Sequence, residues 1–171
     1  MEKNSRKWIL EALIILMKEK SFDKISVTDI TQKAGVARLT FYRNYETKED
    51  VLLDYFKKRL EQYLLEMQNS EKLNLEKMLE ACFMYWSDDK LLLQLMVKQE
   101  LMSLLFTPFI VAFESVIKYS LDNKDNYSET QIEFIKGGLF MVMLYWIKMP
   151  ETEKINSHKI ANDILLLVNT K

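Results

Sequence analysis

The sequence predicts an all-α protein: an N-terminal three-helix helix-turn-helix head, joined by a long helix to a C-terminal helical bundle, about nine helices in all. Three observations predict it. The 171 residues hold only three glycines and two prolines, too few to turn a set of hairpins. Apolar residues recur at three- and four-residue spacing, and strand-type alternation is absent. Ser and Thr stand as caps where each apolar stripe begins.

The first helix is expected over Ser5–Lys20, with Trp8, Ile9, Ala12, Leu13 and Leu16 on one face. Ser21–Lys24 is a short connector. Ser26 caps a second helix, Asp29 makes a near capping box with it, and Ile30 and Ala34 point inward. Gly35 ends that helix, where a left-handed residue is wanted. A third helix covers about Arg38–Asn44. Thr47, with Asp50 three residues on, caps a long fourth helix to about Met67, striped by Leu52, Phe56, Leu60, Tyr63, Leu64 and Met67.

Beyond a polar break over Asn69–Asn74, a helix is expected at Leu75–Trp86 and another from Ser87-Asp88-Asp89 to about Leu105. Thr107-Pro108 reads as a cap followed by a proline in the first helical position, so a new helix should start there and run to about Leu121. After a polar loop, Asp122–Tyr127, Ser128 and Gln131 form a capping box for a helix that Pro150 limits. The last helix covers Ser157–Asn169.

Composition narrows the function. Hydrophobic residues make up 49% of the chain, enough for a folded, soluble core. Residues 1–48 hold ten Lys/Arg against six Asp/Glu, and the remainder fourteen against nineteen. A modestly basic front suits one end that faces phosphate. One cysteine, Cys82, and one histidine, His158, exclude an intrachain disulfide and a Cys/His zinc site. Neither has a partner in sequence that would suggest nucleophilic catalysis, and no Gly-rich phosphate loop exists, so an enzyme is not expected, nor is a cofactor. The first residues lack the pattern of a secretory signal, and no apolar run reaches the length that spans a bilayer. A cytoplasmic protein without membrane contact is expected.

The segment Ser26–Lys48 carries the function. Two short helices across Gly35-Val36-Ala37 make a helix-turn-helix, with Ile30, Ala34, Val36 and Phe41 sized to pack them at a steep angle. The second helix then presents Arg38, Leu39, Thr40, Tyr42, Arg43 and Asn44. In this motif it enters the major groove. Arginine can bridge a guanine, threonine and leucine meet a thymine methyl, and tyrosine and lysine hold phosphates. The residues alone leave open a plain tri-helical packing motif.

Residues Ile25 to Leu52 resemble the signature of the TetR family of regulators. The Ala34-Gly35-Val36 turn, the Thr40-Phe41-Tyr42 triplet, the aromatic Tyr45 and the Lys48-Glu49-Asp50 opening of the long helix agree in register. The resemblance implies phosphate contacts at Thr28, Thr40, Tyr42 and Lys48, the last at a helix start that favours an anion. It makes Arg38, Leu39 and Arg43 base readers, with Asn44 beside them. Two positions depart from the family. Ala37 stands where a capping serine is common, at a cost of about 1 kcal/mol. Leu39 stands where a small residue is common.

The same resemblance implies a variable body with an effector pocket and a dimer interface on its last two helices. The domains are expected at 1–47 for DNA binding and 48–171 for ligand binding and dimerisation. The helix over 128–149 is apolar almost all round, so it needs cover on every side. Gly137, Gly138, Met141 and Leu144, with Ile160, Ile164 and Leu167 of the last helix, are the expected isologous interface of a homodimer. A central helix buried in a monomer is the alternative reading of those residues. Phe83, Trp86, Met96, Gln99, Met102, Phe106, Phe109, Phe113, Met141 and Tyr145 are candidate pocket residues, which a lipophilic effector would suit; ordinary core is the competing reading. The expected partners are a palindromic double-stranded DNA operator, a second copy of the chain and a small-molecule effector that releases a repressor. The rival is a co-regulator of the same fold that acts on a protein partner without binding DNA.

Overall fold

The computed structural model describes residues 2–68, 74–120, 128–150 and 156–169. Nine α-helices and no strand occur among them: α1 Glu2–Glu19, α2 Val27–Ala34, α3 Arg38–Asn44, α4 Lys48–Gln68, α5 Leu75–Ser87, α6 Lys90–Lys98, α7 Ser103–Ser120, α8 Glu129–Lys148 and α9 Ser157–Asn169. A 3₁₀ turn at Phe22–Lys24 follows α1. The chain divides into two compact units. A head unit combines Met1–Arg59 with Leu95–Leu105, and a body unit combines Leu60–Gln94 with Phe106–Lys171.

In the head, α1 packs on α2 and touches α3. Ile9, Ala12, Leu13, Leu16 and Met17 of α1 are buried together with Phe22, Ile25, Ile30, Phe41, Tyr45, Val51 and Leu52. Each large apolar side chain hidden in this way contributes about 1.5–3 kcal/mol. Trp8 does not join them: it is 48% exposed, because the buried stripe runs through Ile9 and Trp8 falls on its flank with Ile15.

The caps read at Ser26, Gly35 and Thr47 are present. Ser26 Oγ accepts the Asp29 N–H and the Asp29 carboxylate accepts the Ser26 N–H, a complete capping box. Gly35 takes φ +64°, its N–H bonds Gln32 O, and the Val36 N–H bonds Thr31 O, the paired bonds of a Schellman ending. Thr47 and Asp50 cap α4 reciprocally, at 3.2 and 2.7 Å.

The expected single helix from Ser87–Asp89 to Leu105 is instead two. α6 stops at Lys98, and Glu100, at φ 61°, ends it in the left-handed conformation. The Glu100 N–H bonds Val97 O and the Leu101 N–H bonds Met96 O, so this is a second Schellman ending without a glycine to announce it. The chain re-enters a helix at Ser103, and Pro108 lies inside α7 rather than starting a helix at Thr107. Proline there removes one backbone bond of α7, and Pro108 is buried with its neighbours Phe109, Ala112 and Phe113.

The body core contains Leu79, Cys82, Phe83, Trp86, Phe109, Phe113, Val116, Leu139, Met143 and Ile147. Trp86 meets Phe109 edge-on at 4.9 Å, and α5 packs along α9. Gln94 Nε2 donates to Ile147 O at 3.0 Å. Burial pushes the Cys82 thiol up to about 12, so it is an inert core residue. The expected breaks at 69–73 and 122–127 lie outside the described residues. No helix among those described is long and apolar enough to cross a membrane.

A non-glycine residue in the left-handed region costs about 1 kcal/mol. Glu100→Gly should therefore raise the urea midpoint by a stability of roughly 0.5–1 kcal/mol, with the m-value unchanged. A second expectation concerns pH. The Ser26 backbone N–H, then its hydroxyl, then Lys20 hold the Asp29 carboxyl far below its ordinary 3.8, against a smaller effect of burial. A lowered native value stabilises above the unfolded value and is lost as pH falls through it towards the native one. The stability gap between wild type and Asp29→Asn, read by urea unfolding, should stay constant from pH 7 to about 5 and close below about pH 4.

Candidate nucleic-acid interface

The surface is set by α3. Phe41 is fully buried and anchors the helix, with its ring 5.6 Å from Tyr42 and 5.9 Å from Tyr45. That anchor turns the opposite face outward: Arg38, Leu39, Tyr42 and Arg43 are exposed, and Thr40 is half-buried. Leu39 reaches 63% exposure, high for a leucine. Arg38 stacks on the Tyr42 ring at 5.5 Å and donates to its hydroxyl at 3.2 Å, one helical turn apart. Ala37 precedes the helix without a side-chain cap, as the residue type requires. Thr28 is exposed in the first turn of α2.

Two of the expected contact residues have work inside the protein. Asn44 Oδ1 accepts from Arg6 Nε at 2.9 Å, and Asn44 Nδ2 donates to Thr40 O at 2.8 Å. Its amide is thereby fixed at the end of α3. Lys48 Nζ donates to Phe22 O at 2.7 Å and Ile25 O at 3.0 Å, with Asp23 O at 3.4 Å, and lies 4.5 Å over the Phe22 ring. An ammonium has three protons, and these carbonyls take them. A phosphate at Lys48 has to compete with that set.

The chain-distant residues that hold α3 were not visible in the sequence pattern. Arg6 of α1 pairs with Asp54 of α4 at 3.4 Å and sits 5.6 Å from the Tyr45 ring centre. Asp54 also accepts from the Tyr45 hydroxyl at 3.1 Å and from Lys58 at 2.6 Å. Burial works against the Asp54 charge, but the Lys58 and Tyr45 hydrogen bonds with the Lys58 and Arg6 charges outweigh it and keep the carboxyl below its usual value. Burial, then the Asp54 charge, pushes the Tyr45 hydroxyl well above the usual range.

Of the ten pocket candidates, seven belong to the body unit, and Met96, Gln99 and Met102 belong to the head unit. Phe83, Trp86, Phe109 and Phe113 are buried in the body core, and Met96 is buried in the head unit. Phe106, Met141 and Tyr145 are 51%, 62% and 65% exposed. Met102 is half-buried, and Gln99 directs its amide to the end of α1. Of the expected interface, Gly137, Gly138 and Met141 are exposed on α8, while Leu144, Ile160 and Ile164 are half-buried. The side chain of Leu167 lies outside the described residues.

A buried anchor, a glycine-turned pair of short helices and an outward face carrying two arginines make up a helix-turn-helix of the DNA-binding kind. The family described as bacterial regulatory proteins, tetR family, matches residues 9–55, so the N-terminal head is a DNA-binding domain of the TetR type. A fatty acid metabolism regulator protein of Bacillus subtilis (strain 168) is 31% identical over 64 residues, 37% of this chain and 33% of that protein. The match spans about a third of that relative's length. The solved structure of the dihydroxyacetone kinase operon activator DhaS has the same fold, with a TM-score of 0.60 at 19% identity, covering 95% of this chain and 93% of that one.

Base discrimination separates the two kinds of residue. An arginine that bridges a guanine discriminates against the wrong base by about 1–3 kcal/mol. Arg43→Gln should lower affinity for the operator and leave binding to unrelated duplex DNA nearly unchanged, whereas Arg6→Gln should lower affinity for both, as measured by anisotropy.

Proposed function

We propose that the chain is a homodimeric transcriptional regulator that binds a palindromic double-stranded DNA operator in the cytoplasm, a repressor released by a small lipophilic effector. The outward face of α3 carries this reading: Arg38, Leu39, Tyr42 and Arg43 are exposed on a helix anchored by Phe41, with Thr40 half-buried at the edge. Arg38 and Arg43 suit guanine edges, Leu39 a thymine methyl, and Tyr42, Thr40 and Thr28 the phosphates. Asn44 and Lys48 serve the interface from within, by the bonds that fix α3 and the start of α4. Residues 1–47 are the reading head in this scheme, and residues 48–171 the ligand-binding and dimerising body.

Dimerisation rests on α8. Phe134, Gly138, Met141 and Tyr145 follow one another at four-, three- and four-residue spacing, and all are exposed. A Cβ at Gly137 or Gly138 would meet nothing within 4 Å, so this face has room for a second helix to approach. An apolar groove of about 150 Å³, lined by Phe134, Gly138, Leu139, Val142, Ile160 and Ile164, continues the face onto α9. Two such faces related by a twofold axis cover each other.

Gel shift on the DNA upstream of its own gene tests the reading. Wild type should shift the duplex, and Tyr42→Phe should weaken binding. Arg38→Ala should relax specificity at one base pair per half-site, by about 1–3 kcal/mol. Met141→Lys should halve the mass in sedimentation and abolish the shift, since each half-site then binds alone. A wild-type protein that fails to shift DNA at low salt points to the co-regulator instead. Release of the complex by an effector marks a repressor; tightening reverses the sign.

A further inference from the structure

We propose that Gln99 is a positioning residue for DNA recognition: its side-chain amide clasps the corner between α1 and α2, and operator affinity depends on that clasp. The inference rests on the DNA-binding reading above. Gln99 belongs to the segment that joins α6 to α7, 77 residues beyond Phe22 in sequence, yet it sits in the head unit. Its Oε1 accepts the Phe22 N–H at 2.9 Å, while its Nε2 donates to Met17 O at 3.0 Å and Lys20 O at 3.3 Å. The last carbonyls of a helix have no partner within it, and here a side chain from elsewhere supplies one.

Lys48 grips the same corner from the far side of the peptide. The Phe22 N–H goes to Gln99 and the Phe22 carbonyl to Lys48, while the Phe22 ring is buried. Only Ile25 and the cap Ser26 separate this 3₁₀ turn from α2, so the turn sets the direction in which α2 and then α3 leave α1. The Schellman ending at Glu100 fixes the backbone on which Gln99 stands. A side chain held by its own backbone, with both ends of its amide engaged, is suited to hold another element to an angle.

A residue that only fills hydrogen bonds lowers stability and leaves the affinity of the folded protein alone. Positioning predicts a different pattern. The full chain is compared with Gln99→Met, which keeps length and loses all three bonds, and Gln99→Glu, which keeps the acceptor for Phe22 and loses both donors. Binding to the duplex upstream of its own gene is read by anisotropy across a salt series, at a temperature where melting curves show each variant folded.

The expected result is a loss of about tenfold for Gln99→Met and a loss at least as large for Gln99→Glu, whose second carboxylate oxygen faces the Met17 and Lys20 carbonyls. The salt slope should be unchanged, because no phosphate contact is removed. Gln99→Met combined with Lys48→Met should lose less than the two single losses multiplied, since both hold one corner. Wild-type affinity in folded Gln99→Met overturns the inference alone, as does a fall in slope. A wild-type protein that leaves the duplex unbound at low salt overturns the DNA reading and this inference with it.

Discussion

Helices of eight and seven residues do not hold themselves in water, since nucleation costs more than so few backbone bonds return. Everything the α2–α3 pair presents therefore depends on what α1 and α4 do to it. The decisive contact is apolar: Phe41 and Ile30 sink fully into the layer formed by Ile9, Leu13 and Leu52. Once Phe41 is buried, the 3.6-residue period leaves Arg38, Leu39, Tyr42 and Arg43 outside. Recognition chemistry on α3 is thus the other side of a packing decision.

Apolar packing is non-directional, so orientation falls to the polar contacts at the edges. Three groups of them surround the pair. Arg6, Asp54 and Tyr45 tie α1 to the end of α3 and to α4 through one partly buried carboxylate. Ser26 with Asp29 and Thr47 with Asp50 fix where α2 and α4 begin. Lys48 and Gln99 hold the Phe22 corner. The Ser26, Asp29, Thr47, Asp50, Lys48 and Gln99 groups bond backbone atoms, whose positions cannot drift as side chains do, whereas Arg6, Asp54 and Tyr45 bond side chain to side chain. Such bonds give angular precision more than net stability.

The body follows a different logic. Its core is aromatic and close-packed through Trp86, Phe109 and Phe113, and an exposed apolar stripe lies on α8. The glycine pair on that stripe removes side chains where a second backbone would approach. Asp163 of α9 lies beside the groove, which is otherwise apolar, so the face combines a hydrophobic centre with a polar edge.

Local chemistry was legible in the sequence because it is written within a few residues. The capping boxes at Ser26 and Ser128, the left-handed Gly35 and the period that buries Phe41 and exposes Tyr42 each follow from residues in the same turn. The family signature lies in that same stretch, which is why the head was readable. Where the signal was missing, the reading strayed. Glu100 ends α6 in a conformation that glycine usually marks, so the chain looked helical to Leu105, and Pro108 looked like a start. Only the tertiary structure decided that Trp8 lies on the flank of its helix, that Asn44 and Lys48 bond inward, and that Gln99 reaches α1. Those outcomes depend on which atoms meet across 23 to 82 residues of sequence, and no periodicity or cap encodes such a meeting.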